Sequence, residues 1–457
     1  MKKRVVAAAA ASVFLFSLTG CGSAASTDTT AGAVTPASSG EVSWWGWTPD
    51  TPVAEKYIAA FNKEYPNIKV TYKNYENVDY RNAITPALES GTGPDVYDIS
   101  PAGGSPDTWG GFALDPSTLA QQTLGADWKD KFGTGYLQQL TNSDGQLTAL
   151  PLGGMTAGFL WYNADIFTAA GADLPTDYNS WVAACKKIQA AGKICFTMGA
   201  GGEDTFPTEF FHSIANSVDP AWFLKAATGD AKWNDPQGIE VLNIIKKMKD
   251  DGIISKNVLD AGQYPLANEE FMRGKAAMVQ MGYWYAQYSG LESAKTAMES
   301  AGVSNPTPFV QLPLDFPDVA AKGNGSQVFG EADYGLAINK DSKNVGAAQT
   351  FVAWMTMSKN GQQMVANAID LIPGLKGVEP DWTSIKLVDP TRQQPAIATL
   401  LQKSASTTQT RQWQTTETTL KAIVVAVQQV LDPTVHTSIE DIAQALQDSS
   451  EASTVGK

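Results

Sequence analysis

Between Val42 and Ile99 the chain alternates twice between a period-2 and a helical hydrophobic pattern, and this restricts the fold more than any other feature. Val42-Ser43-Trp44-Trp45-Gly46 reads as a strand in which Val42 and Trp44 share one face and Trp45 points to the other. Thr51-Pro52 reads as an N-cap and first-turn proline, with Val53, Tyr57 and Phe61 following at helical spacing. Pro66 ends that helix, and Ile68, Val70 and Tyr72 alternate with polar residues as a second strand does. A helix over 78–90, broken near Pro86, leads through Gly91-Thr92-Gly93-Pro94 into a third strand, Asp95 to Ile99. Strand, helix, strand, helix, strand predicts an α/β fold with a mostly parallel sheet. In open sheets of this kind, ligands bind beyond the carboxyl ends of the strands. Trp45, Trp47 and Asp50 stand at that end of the first strand. Surplus indoles there suit the apolar face of a pyranose; the alternative is ordinary packing.

The loop 101–111 opens onto the same expected crevice and carries Asp107 and Trp109. Leu147 to Met155, apolar and broken by glycine, reads as a crossing into a second α/β body. That body begins with a strand over 158–163, in which Asn163 caps a short helix. Further on come a helix over 180–191, a strand over 194–198, helices over 239–251 and 269–273, and a strand Ala276 to Gly282 running into Tyr283-Trp284-Tyr285. Phe309 to Pro313 reads as a second crossing, followed by a strand over 334–339 and helices over 345–357 and 360–368. The remainder is mostly helical, notably 410–431, where Trp413, Leu420, Ile423 and Val427 recur at helical spacing.

At the amino end, Lys2, Lys3 and Arg4 precede an apolar run from Val5 to Leu18, which reads as an export signal. It ends in Leu18-Thr19-Gly20-Cys21, which resembles the lipobox of bacterial lipoproteins. That resemblance implies cleavage before Cys21 and lipidation of it. Residues 22–40, almost wholly Ala, Ser, Thr and Gly, read as a flexible tether. With 47 acidic against 33 basic side chains the chain carries a formal charge of −14, which argues against nucleic acid or anionic lipid as a partner. In an exported chain Cys185 and Cys195, ten residues apart, suit a disulfide; two buried free thiols are the alternative. The two histidines, His212 and His436, have no ligand spacing, so neither a metal site nor a cofactor is expected. No G-x-S-x-G elbow or P-loop occurs.

Several segments together resemble the extracellular solute-binding proteins of carbohydrate ABC transporters, the group that includes maltose-binding protein. They are Trp45-Gly46-Trp47, the run Phe61 to Val70, Gly91-Thr92-Gly93-Pro94-Asp95-Val96, Trp161 to Phe167, Phe271 to Met278, and Tyr334 to Lys340 leading to Ala348 and Phe351. The resemblance implies a two-lobed periplasmic-binding-protein-like fold with the ligand cleft between lobes. In this reading 1–20 is signal peptide and 21–40 tether; lobe 1 takes 41–151 and 311–370, and lobe 2 takes 152–310 and 371–457. It also implies a monomer on the outer face of the cell membrane, held by lipid alone, that closes on a carbohydrate and hands it to permease subunits. Trp284 matches the stacking aromatic of the family; Trp45, Trp47 and Asp50 match its first-strand loop, and Trp413 matches loosely a further aromatic. Glu331-Ala332-Asp333 departs from the paired glycines of many relatives.

Carboxylates accept paired hydrogen bonds from vicinal hydroxyls, which makes Glu76, Asp98, Asp107, Glu209, Glu331 and Asp333 the acidic candidates; a cap or a solvated turn is the alternative for each. Two carboxylates beside aromatic walls also describe a glycoside hydrolase, the rival reading, although nothing in the sequence fixes a catalytic pair.

Overall fold

Ten strands carry the architecture of the computed structural model, which describes residues 34–202, 206–260, 262–325 and 327–454. In chain order they are β1 (Gly40–Gly46), β2 (Ile68–Asn74), β3 (Val96–Ile99), β4 (Leu150–Ala157), β5 (Phe159–Asn163), β6 (Ile194–Thr197), β7 (Ala276–Gln280), β8 (Gln311–Asp315), β9 (Phe329–Ile338) and β10 (Ile372–Pro373). A six-stranded sheet runs β10-β4-β9-β3-β1-β2 and a four-stranded sheet runs β6-β7-β5-β8. The α/β reading holds, with one correction: both sheets are mixed rather than mostly parallel. Among these ten strands, parallel pairing joins β1 to β2 and β3, and β6 to β7. These are the pairs whose strands are joined by helical crossovers. The strands that carry the chain between bodies, β4, β5 and β9, pair antiparallel.

Each sheet is covered by helices over its own core. Trp44, Tyr57, Phe61, Val96 and Phe351 are buried around the first. Trp181, Phe196, Phe210, Ile245 and Val427 are buried around the second. Each contributes about 1.5–3 kcal/mol by leaving water. The chain passes from β4 to β5 through Gly158, whose φ of 94° lies in the left-handed region and where a Cβ would come within 2.4 Å of the Gln327 carbonyl oxygen. Phe309 to Pro313, expected to cross, instead leads into β8 of the second sheet; the return to the first sheet comes only after Asp315.

Local expectations fare unevenly. Asn163 caps its helix, accepting from the N–H groups of Asp165 (3.0 Å) and Ile166 (3.1 Å). Cys185 and Cys195 are disulfide-bonded, stapling the Tyr178–Ala190 helix to β6. The Asn77–Glu89 helix continues through Pro86 to its end three residues later, so the expected break near the proline is absent. Helical structure after residue 410 starts only at Glu417, which leaves Trp413 in irregular chain. β9 begins at Phe329, so Glu331 and Asp333 lie on a strand rather than a turn.

The export signal, Cys21 and the tether as far as residue 33 lie outside the described residues. The remainder of the expected tether is docked, contrary to expectation. Thr35 N–H donates to Gln349 Oε1 (2.8 Å), Ala37 N–H to the Gly346 carbonyl (3.0 Å), and the Thr350 hydroxyl to the Ala37 carbonyl (2.7 Å). Val34 packs on the first core. Small polar residues do not build a core of their own, but here their backbone groups find partners on the Val345–Met357 helix. Among the described residues no helix is long and apolar enough to cross a membrane.

Candidate functional site

β9 organises the site because it belongs to the first sheet and reaches the second body at its amino end. Glu331, buried on this strand, accepts the backbone N–H groups of Gln412 and Trp413, both at 2.9 Å. This fastens the irregular segment before the Glu417–Leu431 helix and presents Arg411 to Glu209 of the Phe206–Val218 helix. The pair is deeply set, with side-chain exposures of 13% for Arg411 and 1% for Glu209. Burial works against the Arg411 charge, yet Glu209, Glu331 and Asp333 outweigh it and hold the guanidinium protonated.

The same guanidinium lies 5.7 Å from the ring centre of Trp284, within cation–π range. Trp284 Nε1 donates to the Tyr264 hydroxyl (3.1 Å), and Phe206 closes the group, 5.9 Å from Trp284 and 6.1 Å from Tyr264. Gly282 makes this placement possible: a Cβ there would stand 1.9 Å from the Trp284 ring. Tyr264 is 40% exposed, so the aromatic wall is open to solvent rather than sealed in a core.

Opposite stand the groups of the first body. Trp44 is fully buried and donates to Asp98 Oδ1 (2.8 Å), as its alternation with Trp45 requires. Trp45 is half-buried against Tyr75, with Lys73 Nζ 4.8 Å from its ring centre. Trp47 packs edge-on between Tyr80 (5.2 Å) and Tyr334 (5.6 Å). Asp50 keeps access to water but is crowded by protein, and burial raises its carboxyl pKa. Across the gap the Tyr288 hydroxyl of the second body donates to it at 3.4 Å. Asp333 is pushed up to about 6, first by burial, with Glu331 and Glu209 adding to the rise and Arg411 opposing it. Asp370 is pushed up to about 7 by burial, with Asp50 and Asp333 contributing, and receives the Tyr57 hydroxyl at 3.4 Å.

Of the residues expected at the site, Trp284 and Asp333 share the influence of Arg411, Trp47 packs on Tyr334 of the same strand as Asp333, and Asp50 meets Tyr288 of the second body. The others have different surroundings. Glu209 and Glu331 are committed to Arg411 and to backbone N–H groups, since a carboxylate buried this deeply requires such partners. Tyr283 is wholly buried in a core cluster. Trp109 is buried, giving its indole N–H to Thr85 (3.0 Å). Asp107 is exposed and accepts from Ser143 N–H (2.6 Å), joining two loops. Glu76 is exposed ahead of the Asn77–Glu89 helix and makes no side-chain cap bond. Trp413 is half-buried and tied to Glu331 through its backbone. Asp98 is fully buried, and that burial drives its carboxyl far above the usual range.

Sequence reasoning missed Phe206, Tyr264, Tyr288, Asp370 and Arg411. Only Asp370 carried a signal, as an acid inside the apolar run Ile369 to Pro373. Arg411 sits among Thr and Gln, where nothing singles it out.

The profile of the bacterial extracellular solute-binding proteins matches residues 45–362. The melibiose/raffinose/stachyose-binding protein MelE of Bacillus subtilis (strain 168) is 23% identical over 331 residues, 71% of each chain. A multiple sugar-binding protein of Streptococcus mutans is 24% identical over 346 residues, 72% of this chain and 74% of that one. Among solved structures, a chitin oligosaccharide binding protein superposes with a TM-score of 0.67 at 20% identity, covering 91% of this chain and 100% of the other.

Proposed function

Because the chain belongs to the family of bacterial extracellular solute-binding proteins, we propose that it is the sugar- or oligosaccharide-capturing subunit of an ABC uptake transporter. The observation that carries this reading is the Phe206, Tyr264 and Trp284 wall, open to solvent at Tyr264, with the Arg411 guanidinium 5.7 Å from the Trp284 ring centre and Asp333 under the influence of the same charge. A flat apolar ring supplies contact area to a pyranose face, and a free carboxylate accepts two of its hydroxyls. The sugars in the relatives' names support the same class of ligand.

Capture works by closure on the ligand of two lobes, one built on the six-stranded sheet and the other on the four-stranded sheet. The Asp50–Tyr288 contact joins the two bodies. A ligand that touches both walls binds the closed state better and shifts the population toward it. Lipidation at Cys21 holds the body at the outer face of the membrane, and permease subunits receive the cargo. The glycoside hydrolase reading loses support, because Glu209 and Glu331 are bound up in fixed interactions and the named relatives are binding proteins.

Tryptophan fluorescence of the body from residue 34 onward, titrated with mono- and oligosaccharides, tests the proposal. Saturable change with the sugar recovered intact is expected. Cleaved sugar would instead restore the hydrolase reading, and silence across the panel would remove carbohydrates as the ligand class.

A further inference from the structure

The neighbouring parallel strands β1 and β3 end at a small cavity lined by Trp47, Tyr80, Arg81, Ser100, Ser105 and Trp109. Trp47 directly follows β1, Ser100 directly follows β3, and Arg81 comes from the Asn77–Glu89 helix that leads from β2 to β3. This is the crevice beyond the carboxyl ends of the strands in which open α/β sheets take ligands. Trp47 also packs on Tyr334, the neighbour of Asp333 on β9, which ties the cavity to the site described above.

The lining sorts by what its donors already do. The Tyr80 hydroxyl donates to the Asp98 carbonyl (2.8 Å), the Ser105 hydroxyl to the Ala102 carbonyl (3.0 Å) and the Trp109 indole N–H to the Thr85 hydroxyl (3.0 Å). The other three have donors to spare. Ser100 Oγ accepts the Ala102 N–H (3.2 Å), and its own hydrogen has no acceptor among the described residues. Nor, among those residues, does the Trp47 indole N–H or the half-buried Arg81 guanidinium have a hydrogen-bond or ion-pair partner. Arg273 and Arg411, by contrast, are each held by a glutamate. No Asp or Glu lines the cavity. The Asp98 carboxyl, wholly buried, accepts the Trp44 indole N–H, and burial disfavours its charge, so it offers Arg81 no counter-ion.

We propose, resting on the saccharide-binding reading, that this cavity is a subsite for the carboxylate of a uronic acid unit, and that Arg81 is the residue that selects such sugars. A carboxylate is acceptor-only and planar, so it matches the guanidinium fork and can take the Ser100 hydroxyl or the Trp47 N–H on its remaining lone pairs. A neutral hydroxyl would leave the charge of Arg81 unanswered. The cavity is small, so it admits a substituent rather than a whole sugar ring. The formal charge of −14 opposes an anion at long range, but salt screens that field beyond about 8 Å, and contacts inside the cavity decide the affinity.

The test is calorimetric titration at neutral pH with di- to tetrasaccharides of galacturonic, glucuronic and mannuronic acid, their methyl esters, and the matching oligosaccharides of galactose, glucose and mannose. Esterification removes the charge and keeps the stereochemistry. The acids are expected to bind about tenfold or more tightly than both uncharged forms, as charge-assisted bonds to a guanidinium imply. The preference should disappear in Arg81→Gln and narrow in Ser100→Ala. Ser100→Ala removes a single hydroxyl and reads the same subsite if Arg81→Gln does not fold; an unchanged preference there counts against the proposal. Uncharged forms binding as tightly as the acids, or an acid preference that survives in Arg81→Gln, would overturn the proposal and leave the saccharide reading standing. Binding of none of them would overturn both.

Discussion

Trp284 derives its value from its neighbours. Its ring lies against Gly282, its N–H is held by Tyr264, and a guanidinium sits off its face. Trp284→Ala is therefore expected to weaken saccharide binding by about tenfold or more, as loss of a central aromatic anchor does. Gly282→Ala keeps the indole but displaces it, and fluorescence titration should show a loss of similar direction in a folded protein; unchanged affinity in both would take Trp284 out of the site. Arg411 and Glu209 illustrate a different dependence. Removing one member of a buried ion pair strands the other, so Arg411→Ala should cost about 3 kcal/mol in urea unfolding. Adding Glu209→Gln should restore part of that. A double variant no more stable than the single would show that Glu209 is not what the arginine compensates.

Elements carry two further consequences. The docked segment before β1 closes on the Val345–Met357 helix through Gly346, where a Cβ would stand 2.5 Å from the Thr35 carbonyl oxygen. Gly346→Ala should free this strap, seen as faster proteolysis before residue 40 with the melting temperature of the body little changed. The disulfide between the Tyr178–Ala190 helix and β6 closes a loop of ten residues. On the loop-entropy account its replacement by Cys185→Ser with Cys195→Ser should cost about 2–3 kcal/mol. Chemical unfolding of the pair of variants checks this, and a negligible change would show that the native fold gains little from the staple.

At the scale of the whole molecule, the pooled acids set the pH dependence of stability. Asp333 and Asp370 titrate higher in the fold (about 6 and about 7) than in the unfolded chain, so the native state binds extra protons above about pH 4 and stability falls as pH rises toward 7. His212, packed between Phe223 (3.8 Å) and Phe329 (4.0 Å), is pushed down to about 3 by burial and acts the other way. Its stability contribution is lost as pH falls from about 6.5. Two carboxyls outweigh one imidazole, so the melting temperature is expected to decline between about pH 4.5 and 6.5, less steeply in Asp370→Asn. A melting temperature that climbs over that interval would contradict this balance.

Local sequence alone determined the alternation of strands and helices through residue 99, the Asn163 cap and the opposite facing of Trp44 and Trp45, because each follows from residues a few positions apart. The bond between Cys185 and Cys195, ten residues apart, was legible for the same reason. Strand direction was not, since antiparallel β4 and β9 are brought together from residues some 180 positions apart. Nor was the site. Glu331 and Glu209 read as free acceptors until the fold delivered Arg411 and two backbone N–H groups to them. Nothing near Trp109, Asp107 or Tyr283 in the sequence announces that the first gives its indole N–H to Thr85, the second accepts from Ser143 and the third lies in a core. Whether a polar or aromatic side chain is available to a ligand depends on what else reaches it first, and that is decided by distant parts of the chain.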